Sequence, residues 1–167
     1  AGSQGTMNNF VYGNDTYQSY ETICGGTGAG NGFDGTSAVH SHMTNTRMTD
    51  PEVLETRFPV RVEEFSIRAG SGGAGQFMGG DGIVRRLRFN APMTVTVLSS
   101  HREHPTHGCA GGEGGQVGQY GVQRADGRYE PLRGNDQAEL NPGDTFVMQT
   151  PGGGGYGAPV AVAKRAG

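Results

Sequence analysis

Glycine runs break this chain into short pieces. Gly25-Gly26-Thr27-Gly28-Ala29-Gly30, Gly70-Ser71-Gly72-Gly73-Ala74-Gly75 and Gly152-Gly153-Gly154-Gly155 are the densest, and 32 of the 167 residues are glycine. Long regular elements cannot pass through such tracts, because each interior glycine costs roughly 0.5–1 kcal/mol relative to alanine. Collagen would need a strict three-residue glycine period along the sequence, and there is none. An arginine–glycine tail for RNA would need arginine interleaved with glycine, and these runs mostly lack it. Apolar segments with clear alternation lie between the runs, which argues against disorder. The runs therefore read as tight turns and positive-φ positions in a folded domain, with some loops shaped around a polar ligand.

Charge and hydropathy exclude several classes. The net charge is -3, from 13 basic and 16 acidic residues, and no basic stripe supports nucleic-acid binding. No apolar run approaches membrane-spanning length, and the first residues do not form a signal peptide. Cys24 and Cys109 do not make a disulfide framework and read as reduced thiols of a cytoplasmic protein. The start, Ala1-Gly2-Ser3-Gln4-Gly5, lacks Met and reads as the middle of a longer polypeptide.

The segments between the runs read mainly as strands. Phe10-Val11-Tyr12 and Tyr17–Ile23 come first. Thr49-Asp50-Pro51-Glu52 is a helix start, with capping-box spacing between Thr49 and Glu52 and a proline tolerated in the first turn. That helix ends within about two turns, before Pro59. Val60 and Val62 share one face, and Phe65 and Ile67 share one face, but the two pairs are out of phase. An extra residue at Glu63-Glu64 restores the phase, which predicts a β-bulge. Ile83–Phe89 alternates, with Ile83, Leu87 and Phe89 against Arg86 and Arg88. Met93, Val95 and Val97 alternate with threonines. Weaker strands are expected at Gln119–Gln123 and Thr145–Gln149, with a turn at Asn141-Pro142-Gly143-Asp144. The expectation is a mainly β single domain over residues 1–167, a sandwich or irregular barrel with one short helix near 50–58.

Most of the candidate chemistry sits in Val39-His40-Ser41-His42-Met43-Thr44-Asn45-Thr46-Arg47. On an extended backbone His40 and His42 point to the same side, so both could meet a single ligand. They could serve a metal, a proton transfer, or a satisfied structural pair. Two histidines fall short of a zinc site, so no metal is assigned to them. Arg47 could grip a carboxylate or phosphate, or pair with Asp50 or Glu52. Gly26-Thr27-Gly28-Ala29-Gly30 lacks the hydrophobic helix that a dinucleotide fingerprint requires. No Gly-Lys-Ser/Thr exists, Lys164 being the sole lysine. Gly70–Gly73 and Gly152–Gly155 fit either anion nests or turns. His101, His104 and His107 are spaced by three, but Pro105 argues against a helix that would align them.

Longer motifs carry a family resemblance. Gly5-Thr6-Met7-Asn8-Asn9, Tyr20-Glu21-Thr22 with Gly25-Gly26, His42–Arg47, and Asp50-Pro51-Glu52 with Leu54-Glu55 are among them. Phe58-Pro59-Val60, Gly70–Gly75, Gly79-Gly80-Asp81-Gly82, Gly111-Gly112, Pro142-Gly143-Asp144 and Thr150–Gly157 follow in order. Together they resemble the C-terminal part of the B-type subunit in the hydantoinase B/oxoprolinase family. The resemblance implies cleavage of a cyclic amide coupled to ATP. An A-type ATPase half phosphorylates the amide oxygen, and the B-type half opens the ring with water. The substrate would be 5-oxoproline, giving glutamate, or a hydantoin; acetone-type carboxylases share the scaffold. The implied partners are the N-terminal portion of the same subunit, the A-type half and a small cyclic amide, in an oligomer. The implied cofactors are ATP with magnesium and a further divalent metal, held outside this chain, so the chain alone is expected to be inactive. Within this picture His40 and His42 are the catalytic candidates, and Asn45, Arg47 and Ser71 the substrate-binding ones. A non-catalytic β module bracing the ATPase half is the alternative. The chain departs from the family pattern at His101–Gly108, where Pro-Pro-Tyr-Gly is usual, and at Met78, where arginine is common.

Overall fold

Alternating apolar residues build two antiparallel sheets. A computed structural model describes residues 1–5, 8–42, 44 and 46–159. The strands are β1 (Asn8–Gly13), β2 (Gln18–Thr22), β3 (Val60–Ile67), β4 (Ile83–Phe89), β5 (Met93–Ser99), β6 (Gln119–Gln123), β7 (Tyr129–Leu132), β8 (Asn135–Leu140) and β9 (Thr145–Gln149), with one helix, α1 (Pro51–Arg57). One sheet runs β2-β1-β5-β8 and the other β3-β4-β9-β6-β7. They face each other as a sandwich and close no barrel. Phe10 stacks on Phe146 across the gap, ring centres 4.5 Å apart, and Tyr12 meets Phe89 edge-on at 5.5 Å. Val95, Val97, Leu87, Tyr120, Val122 and Met148 complete the core. Full burial of each large apolar side chain contributes about 1.5–3 kcal/mol.

The expected bulge is present: the β3–β4 register slips between Val62 and Glu64. The helix starts one residue later than the capping box proposed. Asp50, not Thr49, is the N-cap, its carboxylate accepting the Glu52 N–H at 2.9 Å, and Pro51 opens the helix. Glu52 then sits too early in the first turn to reach back in a capping box. Strands β7 and β8 escaped sequence reading because they are polar, half-exposed edge strands. Pro131 within β7 sits comfortably there, since an edge strand can spare an N–H.

The glycine runs are neither chiefly turns nor anion nests. Positive φ is confined to Gly5, Gly32, Gly70, Gly111, Gly127, Gly143 and Gly157 among the described glycines. The others pack backbone against backbone, in a bundle beside the sandwich. Its axis is Pro151–Gly155. The amides of Gly152 and Gly155 donate to the carbonyls of Gln116 and Glu113, that of Gly153 to Gly80, and that of Gly154 to Gly2. The carbonyls of Pro151 and Gly154 accept the amides of Gly26 and Ala29, and that of Gly153 accepts Gly73. The Gly152 carbonyl takes the Thr106 hydroxyl, and the Gly155 carbonyl takes the Cys109 amide. Partners recur every third residue, which is the period of the polyproline II helix. A methyl group on Gly152, Gly153, Gly154 or Gly155 would strike the backbone carbonyl of Ser71, Thr27, His107 or Ala74 respectively. As at the axis of a collagen triple helix, only glycine fits.

Candidate functional site

The polar tract leaves the bundle where it meets the sandwich. Val39 and Gly25 exchange backbone hydrogen bonds, and the Ala38 amide donates to the Asp81 carbonyl at 2.9 Å. These contacts hold Ala38 at φ 54, and His42 follows at φ 57. Left-handed geometry is unusual for side-chain-bearing residues and costs of order 1–3 kcal/mol, so the flanking structure must enforce it. Two such positions bracket His40.

His40 and His42 occupy different environments. Both ring nitrogens of His40 are buried and lack a hydrogen-bond partner among the described residues. Burial pushes its imidazole below the ordinary histidine range, so the ring is neutral at physiological pH. His42 is exposed, its Nδ1 3.2 Å from the Ser41 hydroxyl. The extended backbone that would align the two rings is not formed. The chain turns at Ser41, whose carbonyl accepts both the amide and, at 2.8 Å, the hydroxyl of Thr44. Asn45 lies outside the described residues. Arg47 is exposed, and among the described residues it pairs with neither Asp50 nor Glu52, leaving its guanidinium open to an anion. Ser71 is fully buried; its hydroxyl accepts the Gly82 amide at 2.8 Å and points to Asp81. Its chemistry is committed to holding the Gly70–Gly75 run against Gly79–Gly82.

Two residues of this region were missed by sequence reasoning. Glu21 on β2 and Arg85 on β4 form an ion pair at 2.9 Å between the two sheets, with side chains only 6% and 3% exposed. Burial pushes the Glu21 carboxyl above the usual range, against the pull of Arg85, and its Oε1 has no hydrogen-bond partner among the described residues. The Arg85 guanidinium also lies over the Phe65 ring, 5.6 Å from its centre. The signal was in the sequence: Arg85 shares strand parity with Ile83, Leu87 and Phe89, and so had to point inward.

The remaining histidine cluster is not a site of shared ligands. His101 Nδ1 lies 3.2 Å from the His104 carbonyl, and the His107 carbonyl accepts the Gly2 amide. Between them Arg102 covers the Tyr120 ring at 4.2 Å and donates to the Leu132 carbonyl. A surface depression of about 550 Å³ lies by Arg124, Asp126, Arg128, Glu130 and Asp144, where both arginines are already paired with carboxylates. Among the described residues no three His, Cys, Asp or Glu side chains converge as metal ligands. The axial glycine amides are spent on neighbouring carbonyls. These donors do not fit a metal or a nucleotide phosphate. No helix of the described chain is long and apolar enough to cross a membrane.

Comparison with known proteins gives the family. The family model described as hydantoinase B/oxoprolinase matches residues 1–159. The 5-oxoprolinase of Dictyostelium discoideum is 48% identical over 157 residues, covering 94% of this chain but only 12% of that protein. The chain thus spans a small part of this relative's length. The crystal structure of an ATP-dependent caprolactamase from Pseudomonas jessenii matches with a TM-score of 0.74 at 23% identity, over 93% of this chain and 31% of that one. The nucleotide-free acetone carboxylase matches at 0.72 and 18% identity, over 94% and 27%. At such identities these two structures speak for the fold alone. The family match and the close relative together place the chain in the hydantoinase B/oxoprolinase family.

Proposed function

We propose that this chain forms one wall of the active site of an ATP-dependent cyclic amide hydrolase that opens 5-oxoproline to glutamate, or opens a hydantoin. The observation that carries the reading is the 48% identity to a 5-oxoprolinase across nearly the whole chain. The state of His40 supports it. A neutral imidazole whose two nitrogens have no hydrogen-bond partner among the described residues is suited to take a proton from attacking water. Arg47, exposed and in no ion pair among the described residues, is suited to hold the substrate carboxylate in a bidentate fork. His42, Asn45 and Ser71 remain candidates, although the buried hydroxyl of Ser71 argues for a supporting part. The rest of the B-type subunit and an A-type ATPase half complete the enzyme, and magnesium, ATP and any further metal bind there. An acetone-carboxylase-type subunit is the second reading, favoured by the shared fold.

The test is 5-oxoproline-dependent ATP hydrolysis by the complete polypeptide with its partner half. His40→Ala should lower kcat by about 10²–10⁴-fold, the usual contribution of a positioned acid–base group. Arg47→Ala should act mainly on KM. Full activity in both variants would sink the residue roles. Ketone-dependent rather than lactam-dependent ATP hydrolysis would favour the carboxylase reading.

A further inference from the structure

We propose that the outer face of the β2-β1-β5-β8 sheet is an interface, and that another domain of the same polypeptide covers it. This rests on the reading of the chain as one part of a longer enzyme, and deepens it by naming the surface where the parts meet. Strand register sets Tyr20, Val11, Thr96 and Gln137 side by side across all four strands of that face. The rungs above and below carry threonine, asparagine, glutamine, glycine and Leu98. Glu139 is the one charged residue on the face, and its carboxylate accepts the Thr94 hydroxyl at 2.8 Å. Tyr20 is 62% exposed, and Val11 and Leu98 40% each. The outer face of the other sheet is built differently: Arg61 stands beside Arg88, and Glu64 beside Arg86. Such charges are what keeps a sheet surface in water.

A face that stays in water gains nothing from losing its charges, whereas charge depletion around a retained aromatic marks the middle of an interface. Covering this face is also cheap. Its polar groups already bond sideways, the Thr22 hydroxyl to Asn9 Oδ1 at 3.2 Å and Thr94 to Glu139, so a partner strands few of them. At Gly13, which brings no side chain to the face, a depression of about 410 Å³ lies between Val11, Gln18 and Thr94 and can seat a protruding side chain. Size selects the occupant. Four strands about 4.8 Å apart and five or six residues long make a face of roughly 350 Å² in projection. A standard stable interface between free partners buries about 800 Å² on each. Two separate copies would gain too little here. A domain on the same polypeptide needs less, because its tether supplies a high effective concentration, and contacts between domains of one chain are smaller and more polar. The Dictyostelium relative, of which this chain spans 12%, has ample sequence for such a domain.

The deciding experiment is hydroxyl-radical footprinting of the complete wild-type polypeptide, read by mass spectrometry at Tyr20 and Leu98. The reference rate is that of the same residues in a proteolytic digest. The expected result is at least fivefold slower modification of both in the folded polypeptide, unchanged on hundredfold dilution and unchanged when the A-type half is left out. A smaller slowing at Tyr20 overturns the proposal, since 62% exposure alone gives about twofold. Protection lost on dilution would assign the face to a second copy, and protection that needs the A-type half would assign it to that half. Either result also overturns the proposal. No variant is needed, so misfolding cannot obscure the outcome. Footprinting needs no turnover: a polypeptide without lactam-dependent ATP hydrolysis would remove the functional reading, while the interface is still judged on its own.

Discussion

Gly153 donates its amide to the Gly80 carbonyl at 2.8 Å, and neither residue has room for a methyl group. At Gly153 it would strike the Thr27 carbonyl, and at Gly80 the Thr36 carbonyl. Both obstacles are backbone, which cannot swing aside as a side-chain tip can. Gly153→Ala should therefore destabilise by about 3 kcal/mol, the upper range for overpacking. That corresponds to a fall in Tm of about 6–12 °C for a chain this size. Gly32→Ala is the control: φ is +90 there but the space is open, so the loss should be only about 1–2 kcal/mol. Thermal unfolding of the two variants checks the contrast.

Ser71→Ala separates a structural hydroxyl from a substrate-binding one. The change leaves the buried Gly82 N–H without its acceptor, which costs about 2 kcal/mol. Urea unfolding should record that loss. In the complete enzyme KM should stay at the wild-type value; a large rise in KM with unchanged stability would return Ser71 to the substrate.

His40 makes stability depend on mildly acidic pH. Burial lowers its folded pKa, so the unfolded chain, titrating near 6.5, binds a proton first as pH falls. The contribution is complete above about pH 6.5 and is lost as pH drops from there to the lower folded value. His40→Phe should flatten this part of the profile. Urea midpoints between pH 7.5 and 5 for wild type and variant provide the measurement.

Asp144 acts in the opposite part of the scale. Burial pushes its carboxyl up, but the amides of Asn141 and Ala125 and the Arg124 guanidinium outweigh burial and bring it below the usual range. Its contribution is present above the unfolded value of about 3.9 and is lost as pH falls through the lower folded one. Asp144→Asn should cost about 2 kcal/mol at neutral pH, after allowing for Arg124's second partner Glu130. The gap between wild type and variant should close in acid below about pH 4, as followed by guanidinium unfolding.

Strand patterning was readable wherever one face is buried. Ile83–Phe89, Gln119–Gln123 and Thr145–Gln149 match their strands residue for residue, and the phase slip after Val62 located the bulge. β7 and β8 were not readable, because an edge strand with two half-exposed faces leaves no apolar period to find. The glycines misled for a different reason. Their function is to let backbones approach, and close approach between Gly26, Gly80 and Gly153 is a property of distant segments that no local window contains. At the candidate site, the tract was visible from its polar residues, but the turn that Thr44 makes back to Ser41 and the positive φ of His42 leave no period-two pattern to read. Glu21 and Arg85 were each in view; their meeting across the sandwich was not.

The axial position of Pro151–Gly155 sets an order of assembly. Every run that surrounds the axis, from Gly2 to Gln116, is made earlier by the ribosome. Until Gly155 is synthesised, those runs have amides and carbonyls aimed at a centre that does not yet exist. The sandwich is also completed late, because β9 immediately precedes the axis and lies between β4 and β6. One short stretch near the C-terminal end thus closes both halves of the fold. A premature stop before residue 151 would leave every earlier glycine run in place and still give no glycine core.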